Sequence, residues 1–84
     1  MPYAITIKRK AQKSLIKIPE PHQSRIIKSI KKLAANPHPV QSKKLTGRNA
    51  WRIRIGNYRV IYEISNNKLL ILVLHIGDRK DIYK

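Results

Sequence analysis

Four residues in the second half of the chain have the types and spacing to act on a phosphodiester. Arg52 and Arg54 stand two apart, Arg59 follows across a Gly-Asn turn, and His75 closes a long apolar run. A guanidinium offers a rigid fork of N–H donors that grips phosphate oxygens in pairs and keeps its proton in proteins. An imidazole, with an ordinary pKa of about 6.5, is suited to moving a proton near neutrality. Two further candidates sit in the terminal DRKDIYK. Arg79 either completes the cationic group or pairs with Asp78 or Asp81. Tyr83 either stacks on a base, assists proton transfer or ties the tail to the sheet. Plainer roles stand beside these: alternating arginines on a strand give solubility and protect edges, and a strand-end histidine serves equally as a hydrogen-bonded structural group.

Cleavage of RNA by its own 2′-hydroxyl needs an acceptor for that proton, cations around the pentavalent phosphorus and a proton for the leaving oxygen. It needs no metal. The chain has no cysteine, and His22, His38 and His75 lack ligand-like spacing, so no metal site and no cofactor is expected.

Charge points to the partner. Nineteen lysines and arginines against four acidic residues give 84 residues a formal net charge of +15, which calls for a polyanion or an acidic protein. Lys43, Lys44 and Arg48 add to the cations expected to hold RNA. The length allows a single domain over residues 1–84, and the 42% of hydrophobic residues argue for a folded one. MPYAITIKRK lacks the apolar region of a signal peptide, and the run from Leu69 to Ile76 is about ten residues short of a bilayer span. The expected location is the cytoplasm, with no membrane partner.

The elements that must position these groups follow from periodicity. Tyr3, Ile5 and Ile7 alternate with Ala4, Thr6 and Lys8, a strand pattern. Ala11, Leu15 and Ile18 then recur at helical spacing, predicting a helix from about Arg9 to Lys17 that Pro19 stops. Pro21, after Glu20, opens a second helix whose apolar face is Ile26, Ile27, Ile30, Leu33 and Ala34. NPHPVQSKKLTG reads as a long surface connection that pins Leu45 to the core. Trp51, Ile53 and Ile55 alternate with Arg52 and Arg54, Gly56-Asn57 turns, and Tyr58 to Ile64 returns as the second strand of a hairpin. KLLILVLHI, apolar throughout, predicts a central strand covered on both faces. The expected fold class is α+β, with two N-terminal helices on one face of a small twisted, largely antiparallel sheet. Arg52, Arg54 and Arg59 are expected to project from the other face.

With these residues in place, the chain resembles the RelE/ParE superfamily of toxins over essentially its whole length. KLTG, the WRIRIGNYRVIYEI hairpin and the terminal HIGDRKDIY carry the resemblance. It implies a type II toxin, closest to the RelE branch, whose members enter the ribosomal A site and cleave the mRNA codon displayed there. Arg52 and Arg54 match that branch's basic pair on the first hairpin strand, Arg59 the arginine of the second, Arg79 the arginine after the final strand, and Tyr83 the C-terminal tyrosine. The basic pair is lysine in the best-known ribosome-dependent member, where one is considered a possible base; arginine cannot inherit that role. His75 becomes the expected proton carrier, and the arginines orient the phosphate. The resemblance further implies a cognate antitoxin with an acidic segment, the ribosome and its mRNA as partners, and DNA contact only through the antitoxin. Two alternatives stay open: a ParE-like inhibitor of DNA gyrase, and a catalytically inactive RNA-binding homologue.

Overall fold

A computed structural model describes residues 2–47 and 49–78. The order of elements is strand β1 (Ala4–Ile7), helix α1 (Arg9–Ile16), helix α2 (His22–Leu33), then strands β2 (Lys43–Lys44), β3 (Trp51–Ile55), β4 (Tyr58–Ser65) and β5 (Leu70–Asp78). The five strands form one sheet in the order β1-β5-β4-β3-β2, in which β1 runs parallel to β5 and every other pair is antiparallel. The expected α+β architecture is therefore present, with its parallel pair made by the chain's first and last strands.

Each helix buries the stripe its spacing predicts. Ala11 of α1 and Ile26, Ile30 and Leu33 of α2 join Ile18, Ile53, Val60, Tyr62, Ile71, Val73 and Ile76 in one apolar core. Burial of such aliphatic side chains is the main stabilising term, about 1.5 to 3 kcal/mol each. Ile27 and Ala34 lie at its margin, half-buried. The helix ends are secured by unlike means. No side chain caps α1 at Lys8. Instead Gln12 Nε2 donates to the Ile7 carbonyl at 2.7 Å, and Gln23 Nε2 reaches from α2 to the Leu15 carbonyl at 3.0 Å. Gln23 thus adds a second donor to the Leu15 carbonyl, which also accepts from Ile18 N at 3.1 Å, and holds the two helices together. At the start of α2, the Glu20 carboxylate accepts from Ser24 N at 2.8 Å and Ser24 Oγ at 2.6 Å. The helix opens at His22, one residue after Pro21.

Three details depart from the sequence reading. The connection between α2 and β3 contains a two-residue strand, because Lys43 and Lys44 pair with the free edge of β3. Leu45 is half-buried outside the core cluster, its N–H bonded instead to the Ala50 carbonyl at 2.9 Å. From Leu70 to Leu74, strand β5 is fully buried on its helix side alone, at Ile71 and Val73; Leu70, Leu72 and Leu74 are half-buried. Its long apolar run therefore reflects one buried face and one partly covered face.

The register of β4 on β5 contains an irregularity that decides where His75 points. Ile61 pairs with His75, but the next residue, Tyr62, pairs with Val73, leaving Leu74 unpaired in a bulge. Simple alternation from Ile71 and Val73 would place residue 75 in the core. The bulge resets the phase, so that Ile76 enters the core and His75 turns to the other face.

Candidate functional site

The sheet face opposite the core carries the candidate groups in two adjacent rows. In one, Lys43 of β2 pairs with Arg52 of β3, Arg52 with Ile61 of β4, and Ile61 with His75 of β5. In the next, Arg54 pairs with Arg59 and Arg59 with Gly77. Strands lie about 4.8 Å apart, so Arg52 and His75, two strands apart, have backbones separated by about 10 Å. An extended arginine side chain covers most of that span.

The four groups differ in exposure, and the differences bear on their chemistry. Arg54 is exposed and Arg52 half-buried. Arg59, expected to project into solvent, is 2% exposed and is the one buried charged side chain among the described residues. Removing a charge from water costs several kcal/mol unless surrounding groups compensate, so a guanidinium fixed at such a depth offers an ordered positive field with little to reorganise when an anion arrives. His75 is half-buried; its Nε2 is buried and has no hydrogen-bond partner among the described residues. A buried imidazole nitrogen without a hydrogen-bond partner among the described residues is uncommon for a purely structural histidine.

Of the further expected RNA contacts, Lys43 belongs to this face through its pairing with Arg52, whereas Lys44 pairs with Trp51 and so falls on the helix side. Arg48, Arg79 and Tyr83 lie outside the described residues. Sequence reading did not anticipate that β2 carries Lys43 into register with Arg52, and no local signal in NPHPVQSKK reveals it. A cleft of about 350 Å³ borders His75 on the α1 side, lined also by Ser14, Lys17, Tyr58 and Asp78. His22 adds its ring to Tyr58, with centroids 5.5 Å apart. Among the described residues no three His, Cys, Asp or Glu side chains are grouped to hold a metal ion. No described helix is long and apolar enough to cross a membrane.

A small, mostly antiparallel sheet with two helices is the fold of the RelE toxins to which the chain is similar. The RelE–RelB complex of Pyrococcus horikoshii superposes with a TM-score of 0.84 at 29% identity, covering 94% of this chain and 97% of that one. The RelB–RelE complex of Methanococcus jannaschii gives 0.76 at 27% identity, covering 92% and 93%. The isolated RelE toxin of E. coli gives 0.80 at 21%, covering 96% and 90%. A search of curated proteins finds no match. The family model described as the ParE toxin of type II toxin–antitoxin systems, parDE, matches residues 5–83. The chain belongs to this family and is a type II toxin of the RelBE/ParDE kind.

Proposed function

We propose that this toxin is an endoribonuclease that enters the ribosomal A site and cleaves the mRNA there, stopping translation. The observation that carries the reading is the convergence of Arg52, Arg54, Arg59 and His75 on one face, with a bulge that turns the histidine toward the arginines. In the proposed reaction the 2′ oxygen attacks phosphorus while the His75 imidazole takes its proton, and the bond from phosphorus to the 5′ oxygen breaks. The departing 5′ oxygen takes a proton from solvent or from Tyr83. The products are a 2′,3′-cyclic phosphate, open to hydrolysis to the 3′-phosphate, and a 5′-hydroxyl end. The guanidinium groups hold the phosphate and stabilise its extra charge; Arg79 joins them, and Lys43 and Arg48 hold flanking RNA. The chemistry asks for no metal.

Similar toxins from P. horikoshii and M. jannaschii occur as complexes with RelB. We infer a corresponding antitoxin here, with an acidic segment matched to a chain of net charge +15. DNA contact by the complex then belongs to the antitoxin, and the toxin acts in the cytoplasm.

The test is 5′-end mapping of a defined mRNA after addition of the purified protein, with and without programmed ribosomes holding an open A site. Cuts confined to the A-site codon support the reading; no cuts in either reaction overturn it. One observation favours a second reading, inhibition of DNA gyrase: the matching family model is that of ParE toxins. A gyrase supercoiling assay on the same preparation separates the two.

A further inference from the structure

The face that carries the arginines ends in a cleft of different chemistry. Moving along β4 from Arg59 and Ile61, the next residue on that face is Glu63, about 7 Å beyond Ile61. It borders a cleft of about 340 Å³ lined by Asn49, Glu63, Ser65, Lys68, Leu70 and Leu72, among others. Glu63 is one of only four acidic residues in a chain of net charge +15. Even so, among the described residues neither its carboxylate nor the Lys68 ammonium makes a hydrogen bond or ion pair. Glu63 borders a cleft to which Leu70 and Leu72 also contribute, on the same face as the arginine rows.

We propose that this cleft is a base-recognition pocket for guanine in the single-stranded RNA held on the arginine face. The inference rests on the nuclease reading for the RNA's path and adds its specificity. An ionised carboxylate is an acceptor only, and an ammonium a donor only. Guanine presents two adjacent N–H donors on its Watson–Crick edge, N1 and N2, with the O6 acceptor beside them. Glu63 accepts from both donors, and Lys68 donates to O6. Adenine and cytosine place a ring-nitrogen acceptor next to their amino group, and uracil flanks its single N–H with two carbonyls. Each would set a lone pair against the carboxylate. Leu70 and Leu72 give the base plane an apolar surface, as single-stranded RNA recognition requires.

The experiment uses fluorescently labelled 2′-deoxy oligonucleotides, which cannot be cut by this route, so binding is read without cleavage. A homopolymeric deoxyadenosine strand is compared with one carrying a single guanine and one carrying inosine, which lacks the N2 amino group. Anisotropy with the wild-type protein is expected to show about tenfold tighter binding for guanine, most of it lost with inosine. Glu63→Gln should erase the preference while binding the adenine strand no more weakly than wild type, since removal of a negative charge favours any polyanion. Equal affinity for all three strands, or a preference that survives Glu63→Gln, overturns the proposal. A preference with no cleavage on ribosomes would instead fault the nuclease reading and leave the pocket standing.

Discussion

Arg54 stands directly opposite Arg59 across the β3–β4 hairpin, two guanidinium-bearing residues in register on the same face of the sheet. Like charges in this position destabilise a sheet, by about 0.2 to 1 kcal/mol. The pairing works against the hairpin to that extent, and an anion between the two groups would relieve it. Arg54 is exposed, so Arg54→Gln should raise the denaturation midpoint slightly. Inorganic phosphate should stabilise the wild type more than the variant. Cleavage, if the nuclease reading holds, should fall by roughly a hundredfold, the usual consequence of losing one group that stabilises transition-state charge. A variant that is no more stable and equally responsive to phosphate would show that the two arginines do not share an anion.

The bulge at Leu74 yields a sharper prediction for His75. Substitution by glutamine keeps the size and polarity of the side chain but removes proton transfer, a contribution of about a hundredfold to ten-thousandfold in such reactions. His75→Gln should lose at least a hundredfold in single-turnover cleavage and bind RNA as before. Deleting Leu74 should act differently: His75 would then follow Val73 directly, and regular alternation would keep His75 on the arginine face and Ile76 in the core. That variant should retain most of the cleavage that His75→Gln loses, and its stability in urea denaturation should stay near that of the wild type.

How far the chain could be read in advance follows from the same geometry. Period-two alternation showed that Arg52 and Arg54 share a face, and the helix stripes at Ile26, Ile30 and Leu33 match the buried residues. The face presented by His75 was not legible, because LLILVLHI is apolar on both phases and gives no sign of a bulge. The depth of Arg59 escaped too, since local polarity predicts exposure while cross-strand neighbours decide it. Lys43 joined the site through a pairing with a strand several residues further on, and only tertiary structure supplies that contact.

Glu20 offers an acid-side test. Its carboxylate is held below its ordinary range by the hydrogen bond from the Ser24 hydroxyl and, next, by that from the Ser24 N–H. A lowered folded-state pKa means that the unfolded chain binds the proton more readily, so the contribution is present above the unfolded value and lost as pH falls through the folded one. Between about pH 6 and about pH 3 the wild type should lose more stability than Glu20→Gln, whose amide cannot titrate. Parallel slopes in urea denaturation at the two pH values would exclude a role for Glu20 at the start of α2.

Tyr62 gives the complementary alkaline test and links the core to the site. Its ring is fully buried, and its hydroxyl donates to the Pro37 carbonyl at 2.8 Å, tying down the loop that leads into β2. Burial pushes the phenol up to about 12, with a smaller opposing effect from the Ser42 hydroxyl. A raised folded-state pKa means stability that is whole below the unfolded value, about 10, and drains away as pH rises toward the folded one. Tyr62→Phe should keep the packing, lose about 1 kcal/mol with the hydrogen bond, and lack this alkaline decline relative to wild type. The lysines titrate in both proteins, so the difference between the two curves isolates the phenol. Loosening the loop should also free Lys43 from its register with Arg52, weakening RNA binding while leaving the chemical step of bound substrate nearly unchanged. An equal loss in binding and in single-turnover rate would instead place the effect of Tyr62 on the arginine face as a whole.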